Sequence, residues 1–416
     1  MSARSDAGRP RRTAVAVTLG VLVAGAVAAA VVVPRLLPHA ATPGSTGAYT
    51  VGAGTDVCGT GWPGGGTAPS AGTQTLRIRN TSVAGVEVQL VGRSSGAVFL
   101  DAEGLGSGAA HTYRVRLARG DYHFRCLPAD GDPVDGPVVH VSGAAHVSDA
   151  TPGVVPVTRD DLIPAAKTYG TWIESRLPVL LGDVRRLDDD VHAGDRTAAR
   201  VDWRTAHVEY EQLGAAYGAF GDEDTAINGL PASGHTALDD PHLTGFHRIE
   251  ALLWAPTSGA GTDTAGTSAA TAPADALVAA VQHLQQTFPT ARVDPLEIGL
   301  RAHEILENAV QFEATGRSDA GSHTSLATID ANVAGTVHAL DPLRGILRTR
   351  YPELADTDRA LATLRTELER HRRPDGTWTA LDALGRPDRE RLDAALGDAV
   401  ERLAPVAAIC DPRRTS

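Results

Sequence analysis

The 416-residue sequence has three cysteines, a single methionine and few aromatics, and each scarcity narrows the choice of function. The methionine is Met1, so a blue-copper electron carrier, which combines His and Cys with an axial Met in most cases, is not expected. Aromatics make up 4% while Ala and Gly abound, which points to Ala/Leu helices packing through small residues. No long basic block occurs outside the extreme N-terminus and the net charge is −12, which argues against a nucleic-acid partner and suits cations or a solvated extracellular role. The H-E-x-x-H of a zinc peptidase helix is missing. What is present is enough apolar sequence, 42%, to exclude a disordered chain and to fill two or three folded units.

The N-terminus places Arg9, Arg11 and Arg12 before an uncharged run from Thr13 to Val33. Such a run is long enough to span a bilayer, with the arginines holding their end in the cytoplasm. A small-x-small cleavage site is hard to find, so residues 1–34 read as a signal anchor ahead of a cleaved signal peptide, with the paired arginines allowing a twin-arginine signal. Either way the remainder is expected outside the cytoplasm, membrane-anchored or secreted.

Residues 35–48 form a Pro/Gly/Ser/Thr linker. Over residues 49–147 short segments such as "TLRIRN", "VEVQLVG", "HTYRVRL", "GDYHFRC" and "PVVHVSG" alternate apolar and polar positions between turn residues, predicting a small β-sandwich. From Thr158 the period is helical. "TRDD" offers a Thr cap with an acid three residues on, and further helices are expected near 198–220, 243–255, 273–288, 293–315, 325–349, 352–373 and 386–408. The pattern predicts an all-α region, 158–410, of two four-helix bundles. The low-complexity "APTSGAGTDTAGTSAATAPAD" reads as a mobile surface loop.

"LTGFHRIEALLW" sets His247 and Glu250 three residues apart on one helix face, beside Leu252, Leu253 and Trp254. Burying such a pair is costly without partners, so further donors are sought on other helices. "DWRTAHVEYEQLG" supplies Glu211 or Glu209, with His207 one turn before Glu211. "AFGDEDTAINGLP" supplies Asp222 and Asp224. "RAHEILENAVQFEATG" supplies Glu304 and Glu307, with His303 at i, i+4 to Glu307. Glu209, Glu223 and Glu313 fit a solvated acidic face better. A mixed oxygen and nitrogen set suits iron, manganese or zinc over soft copper(I).

"TGFHRIEALLW", the Trp-x-x-x-x-x-x-Tyr-Glu of "WRTAHVEYE" and "HEILENAVQFEATGRSDAGSHTSLATIDANVAGT" together resemble the imelysin-like domain, named after a peptidase family, of EfeO-type iron-uptake proteins. The resemblance implies two four-helix bundles with His247, Glu250, Glu211, Asp224 and Glu307 as metal ligands. "DVCGTGW", "NTSVAGVEVQL", "VFLDAEGLGSG" and "GDYHFRCLPADG" resemble the cupredoxin-like domain that precedes it in such proteins. By that resemblance Cys58, Glu87, Asp101, Glu103 and Cys126 form a second metal-binding patch, although Gln89 stands where another acid is common. The competing reading, favoured for two cysteines of one small extracytoplasmic sandwich, is a Cys58–Cys126 disulfide, which leaves Cys410 unassigned.

The function this implies is capture of iron, Fe²⁺ or Fe³⁺, outside the cytoplasm within an EfeUOB-like uptake system. The same ligands accept Zn²⁺, Cu²⁺ or Mn²⁺. The resemblance implies an iron permease and a haem-peroxidase-like protein as partners, and no catalytic residue. "HRIEA" lacks the second His of a peptidase site, so a metal-dependent peptidase is the alternative enzyme reading, beside a cell-surface structural or binding protein.

Overall fold

In the computed structural model, residues 47–63, 68–256 and 264–411 are described. The expected anchor or signal, 1–34, and almost all of the linker lie outside them. Among the described residues no helix is long and apolar enough to cross a membrane.

The alternating segments build two sheets. In the first, β1 (Gly47–Ala53) runs parallel to β3 (Gly72–Asn80) and antiparallel to β2 (Cys58–Thr60), and β6 (Ala110–Leu117) closes the other edge of β3. In the second, β4 (Val86–Gly92) lies between β5 (Val98–Leu105) and β7 (Gly120–Pro128), and β7 also pairs with β8 (Val134–Asp135) and β9 (Val139–Val141). Alternation puts Leu76 and Ile78 of one sheet and Val88, Leu90 and Phe124 of the other into a shared core. Cys58 on β2 and Cys126 on β7 are joined by a disulfide, which ties the two sheets together.

The helices begin at α1 (Arg159–Ala193). Thr158 caps it through a reciprocal capping box with Asp161, satisfying backbone groups that the first turn leaves unpaired. α1 packs along α2 (Arg196–Glu211) and α6 (Thr264–Thr287), and α6 along α5 (Gly245–Trp254). α7 (Ile298–Asn308) packs between α8 (Ser325–Leu340) and α11 (Arg386–Cys410), with α10 (Leu354–Glu369) on α11. Short α3 (Tyr217–Phe220) and α4 (Asp222–Asn228) follow α2, and α9 (Arg344–Leu347) follows α8. Their cores merge into one apolar cluster.

Three expectations need correcting. The low-complexity stretch is helical from Thr264 on, because Thr267, Ala270 and Ala274 form a buried stripe of small side chains. The segment expected as one helix over 198–220 breaks after Glu211, where Gly214 lies against Ile305 at a distance that a Cβ would close to 2.9 Å. The 325–349 helix stops at Leu340 and resumes as α9.

Candidate metal centre

α2 turns Trp203, His207, Tyr210 and Glu211 inward at helical spacing. His207 stacks on Trp203 at 4.8 Å between ring centroids and meets Phe246 and His247 edge-on at 5.2 and 5.6 Å. These contacts hold the imidazole 3.1 Å from Glu211 Oε1, off the line of a hydrogen bond. The opposing wall is α5, whose approach depends on Gly245. Its φ is +71°, and a Cβ there would meet the Ile227 carbonyl oxygen at 2.0 Å. Gly335 does the same for α8, where a Cβ would lie 2.5 Å from the Gln212 oxygen.

Glu211 is the meeting point. Asn228 Nδ2 of α4 donates to its Oε1 at 2.8 Å and Asn332 Nδ2 of α8 to its Oε2 at 3.2 Å. Burial pushes the Glu211 carboxyl upward, yet His207, Asn228 and His247 together outweigh burial and hold it below the ordinary range. Burial pulls His207 down, and Glu211 and Glu250 more than restore it, so its pKa is raised.

His247 and Glu250 are both buried, but they serve different faces. His247 lines a cavity of about 330 Å³ together with Glu211, Asp224, Glu304 and Glu313. Glu250 is not among the lining residues. Its Oε2 sits 3.3 Å from His247 Nδ1, and its Oε1 accepts the backbone N–H groups of Ala320 and Ser322, both at 2.9 Å. Burial raises its pKa, and the contacts with His247 and Ser322 outweigh that and lower it. It thereby holds the turn before α8, where Asp319 Oδ1 also accepts from Gly321 and His323, the latter with φ +55°.

Asp224 reaches the cavity from α4, and its Oδ1 accepts from Tyr210 Oη at 2.5 Å. Burial raises its pKa, with the Glu211 charge adding to that and the Tyr210 bond opposing it. Glu313 was expected on a solvated face and is instead buried, with Oε2 lacking any hydrogen-bond partner. Burial first, then the Glu211 charge, pushes its carboxyl up to about 7. Glu313 ends a π-helical turn, Ala309–Glu313, which adds a residue to the turn and swings it inward. The signal was its place four residues after Ala309 and seven after Leu306, on the apolar stripe. Glu209, also expected in solvent, is buried against Arg176, whose Nε donates to Oε1 at 2.7 Å.

The remaining candidates lie elsewhere. Glu307 faces His303 Nδ1 at 3.5 Å, with its side chain 46% exposed and off the cavity. Asp222 is exposed, and Glu223 pairs with His283 of α6 at 2.6 Å. In the sandwich, Gln89 donates to Glu87 Oε1 at 2.7 Å and lies opposite Asp101 in register, with Glu103 further along β5. The Cys58 and Cys126 sulfurs are bonded to each other, so neither is a thiolate ready for a metal.

Among the described residues, no three of the cavity's His and carboxylate groups bring ligand atoms within 4.8 Å of one another. Three buried oxygens here make no hydrogen bond within the protein: Asn228 Oδ1, Asn332 Oδ1 and Glu313 Oε2. Unpaired acceptors and carboxylate charge in one cavity favour a cation over an anion there.

The imelysin family model, which carries a peptidase name, matches residues 165–406. The chain belongs to the imelysin family. Every cavity residue named above falls inside that match. Curated relatives include the "Iron uptake system component EfeO" of Escherichia coli O157:H7, of Escherichia coli strain K12 and of Shigella flexneri. Each is 26% identical over 341 residues, covering 82% of this chain and 86% of the relative. The aligned length exceeds the family match, so the likeness reaches beyond the helices. Within the family, the chain is of the EfeO type.

Proposed function

We propose that the chain is the extracytoplasmic iron-binding component of an EfeUOB-like iron uptake system. In this reading it takes iron into the cavity between α2, α4, α5 and α7 and passes it to a membrane permease. The observation that carries it is the surplus of buried acceptors, Asn228, Asn332 and Glu313, in a cavity that also exposes His247, Glu211 and Asp224. The relatives' name, iron uptake system component, agrees with that chemistry.

The roles divide by position. Glu211, Asp224, Glu313 and the Nε2 of His247 are the ligands. Glu250 orients His247 by occupying Nδ1, the arrangement in which a carboxylate behind a metal-binding imidazole fixes its tautomer. Because the donors stand apart, a cation enters with part of its water shell, and the carboxylates swing inward as it is shed. A haem-peroxidase-like partner and the two-bundle division of the helices belong to the same proposal.

Calorimetry with Fe²⁺, Zn²⁺, Cu²⁺ and Mn²⁺ tests it. His247→Ala with Glu211→Gln should weaken binding by at least 100-fold, since each removes a direct ligand. Unchanged affinity would sink the assignment. Cleavage of a peptide library by metal-loaded protein, lost in His247→Ala, would move the reading to the peptidase of the family's name.

A further inference from the structure

A second group of donors lies outside that cavity, where the last turns of α1 meet α6. Asp188 and His192 are one helical turn apart on α1, and Asp275 faces them from α6. His192 Nε2 is 3.0 Å from Asp275 Oδ1 and 3.6 Å from Asp188 Oδ1. One ligand atom from each residue lies within 4.8 Å of the other two, and among the described residues no other His, Cys, Asp or Glu group of three does this. Donors about 2.1 Å from a tetrahedral ion stand roughly 3.4 Å apart, which both distances from His192 approach.

Two further observations separate this group from an ordinary ion-paired surface. Asp188 Oδ1 is itself buried and has no hydrogen-bond partner, although the side chain as a whole is 20% exposed. A solvated ion pair would leave that oxygen to water. The site also sits at the C-terminal end of α1, where the helix dipole favours positive charge, and Asp189 adds its charge close by.

We infer that Asp188, His192 and Asp275 form a second, surface divalent-cation site that staples the end of α1 to α6. One imidazole and two carboxylates, with the fourth position open to water, suit Zn²⁺. The inference is independent of the iron reading, because it shares no residue with the cavity.

The test is Zn²⁺ stoichiometry and affinity on the full chain, by calorimetry and by metal analysis after desalting, with Zn²⁺-dependent Tm as a second readout. The unaltered chain is expected to hold two Zn²⁺. His192→Ala with Asp275→Asn should hold one, and should lose most of the Tm rise. Asp275→Asn alone, at a side chain 58% exposed, keeps the test usable if the double variant folds poorly, and is expected to weaken the surface site by about tenfold or more. His247→Ala with Glu211→Gln should remove only the other ion. Equal stoichiometry and Tm response in the His192/Asp275 variant overturn the inference. A single Zn²⁺ lost only with His247 and Glu211 overturns it while leaving the cavity reading intact. A single Zn²⁺ lost only with His192 and Asp275 supports it and leaves the cavity reading to the iron titration.

Discussion

His247 Nδ1 lies 3.3 Å from Glu250 Oε2, and the two side chains stand one behind the other, with only His247 on the cavity. A pair at i, i+3 shares a helix face, but sharing a face does not make both members reach the same point. Glu250 spends its other oxygen on the backbone of residues 320 and 322.

Glu250 is therefore expected to stabilise the metal-free protein. Glu250→Ala leaves two backbone N–H groups and the imidazole without their acceptor, at a cost of about 2–4 kcal/mol. Because the Glu250 pKa is lowered, its contribution is present above the unfolded carboxylate range and is lost as pH falls through the folded value. Urea unfolding of metal-free protein at neutral pH checks this, and an unchanged midpoint would refute it.

Glu313 has the opposite sign. Its folded pKa is raised from 4.5 to about 7, so the folded state holds its proton more tightly than the unfolded chain. The stabilisation is complete below the unfolded value and disappears as pH rises through about 7. Glu313→Gln removes that dependence. Relative to the unaltered chain, the metal-free variant should gain on the order of 2 kcal/mol between about pH 5 and about pH 8. Denaturation at both pH values reads the difference, and a constant offset would contradict the buried assignment.

Gly245→Ala should impair folding and metal binding together. A methyl there meets the Ile227 carbonyl at 2.0 Å on a left-handed backbone, so α5 must back away from α4 and carry His247 with it. A loss of about 2–4 kcal/mol is expected, as for overpacking combined with backbone strain. Thermal unfolding with a parallel Zn²⁺ titration tests it, and unperturbed values in both would exclude the close approach.

Cys410 is the remaining thiol, buried against Gly299, with burial pushing its pKa up to about 12. A thiol reagent should find almost nothing reactive in the native, unreduced protein and one thiol per chain after denaturation without reductant. Three thiols after denaturation would refute the Cys58–Cys126 disulfide.

Much of the architecture was legible in the residues. Period-two alternation marked β4 and β6 closely, and the Thr158 cap marked the start of α1, because both signals are local. The α6 extension was not legible, since Thr, Ala and Gly in low-complexity order give no periodicity until another helix supplies the face they pack on. Within the site, the pairing of His247 with Glu250 in "GFHRIE" was visible, whereas the direction of each carboxylate was not.

By itself, then, the sequence determined where strands give way to helices, and which stretches bring imidazole and carboxylate side chains to the cavity. Only the tertiary structure decided which acids share a cavity. It turned Glu307 outward to His303 and Glu313 inward through a π-helical turn, and it set Glu250 behind His247. The physical reason is range. Spacing along one helix fixes neighbours within a turn, while the wall opposite is built by segments far away in the chain. Those segments approach closely where glycines such as Gly245 and Gly335 let backbones touch.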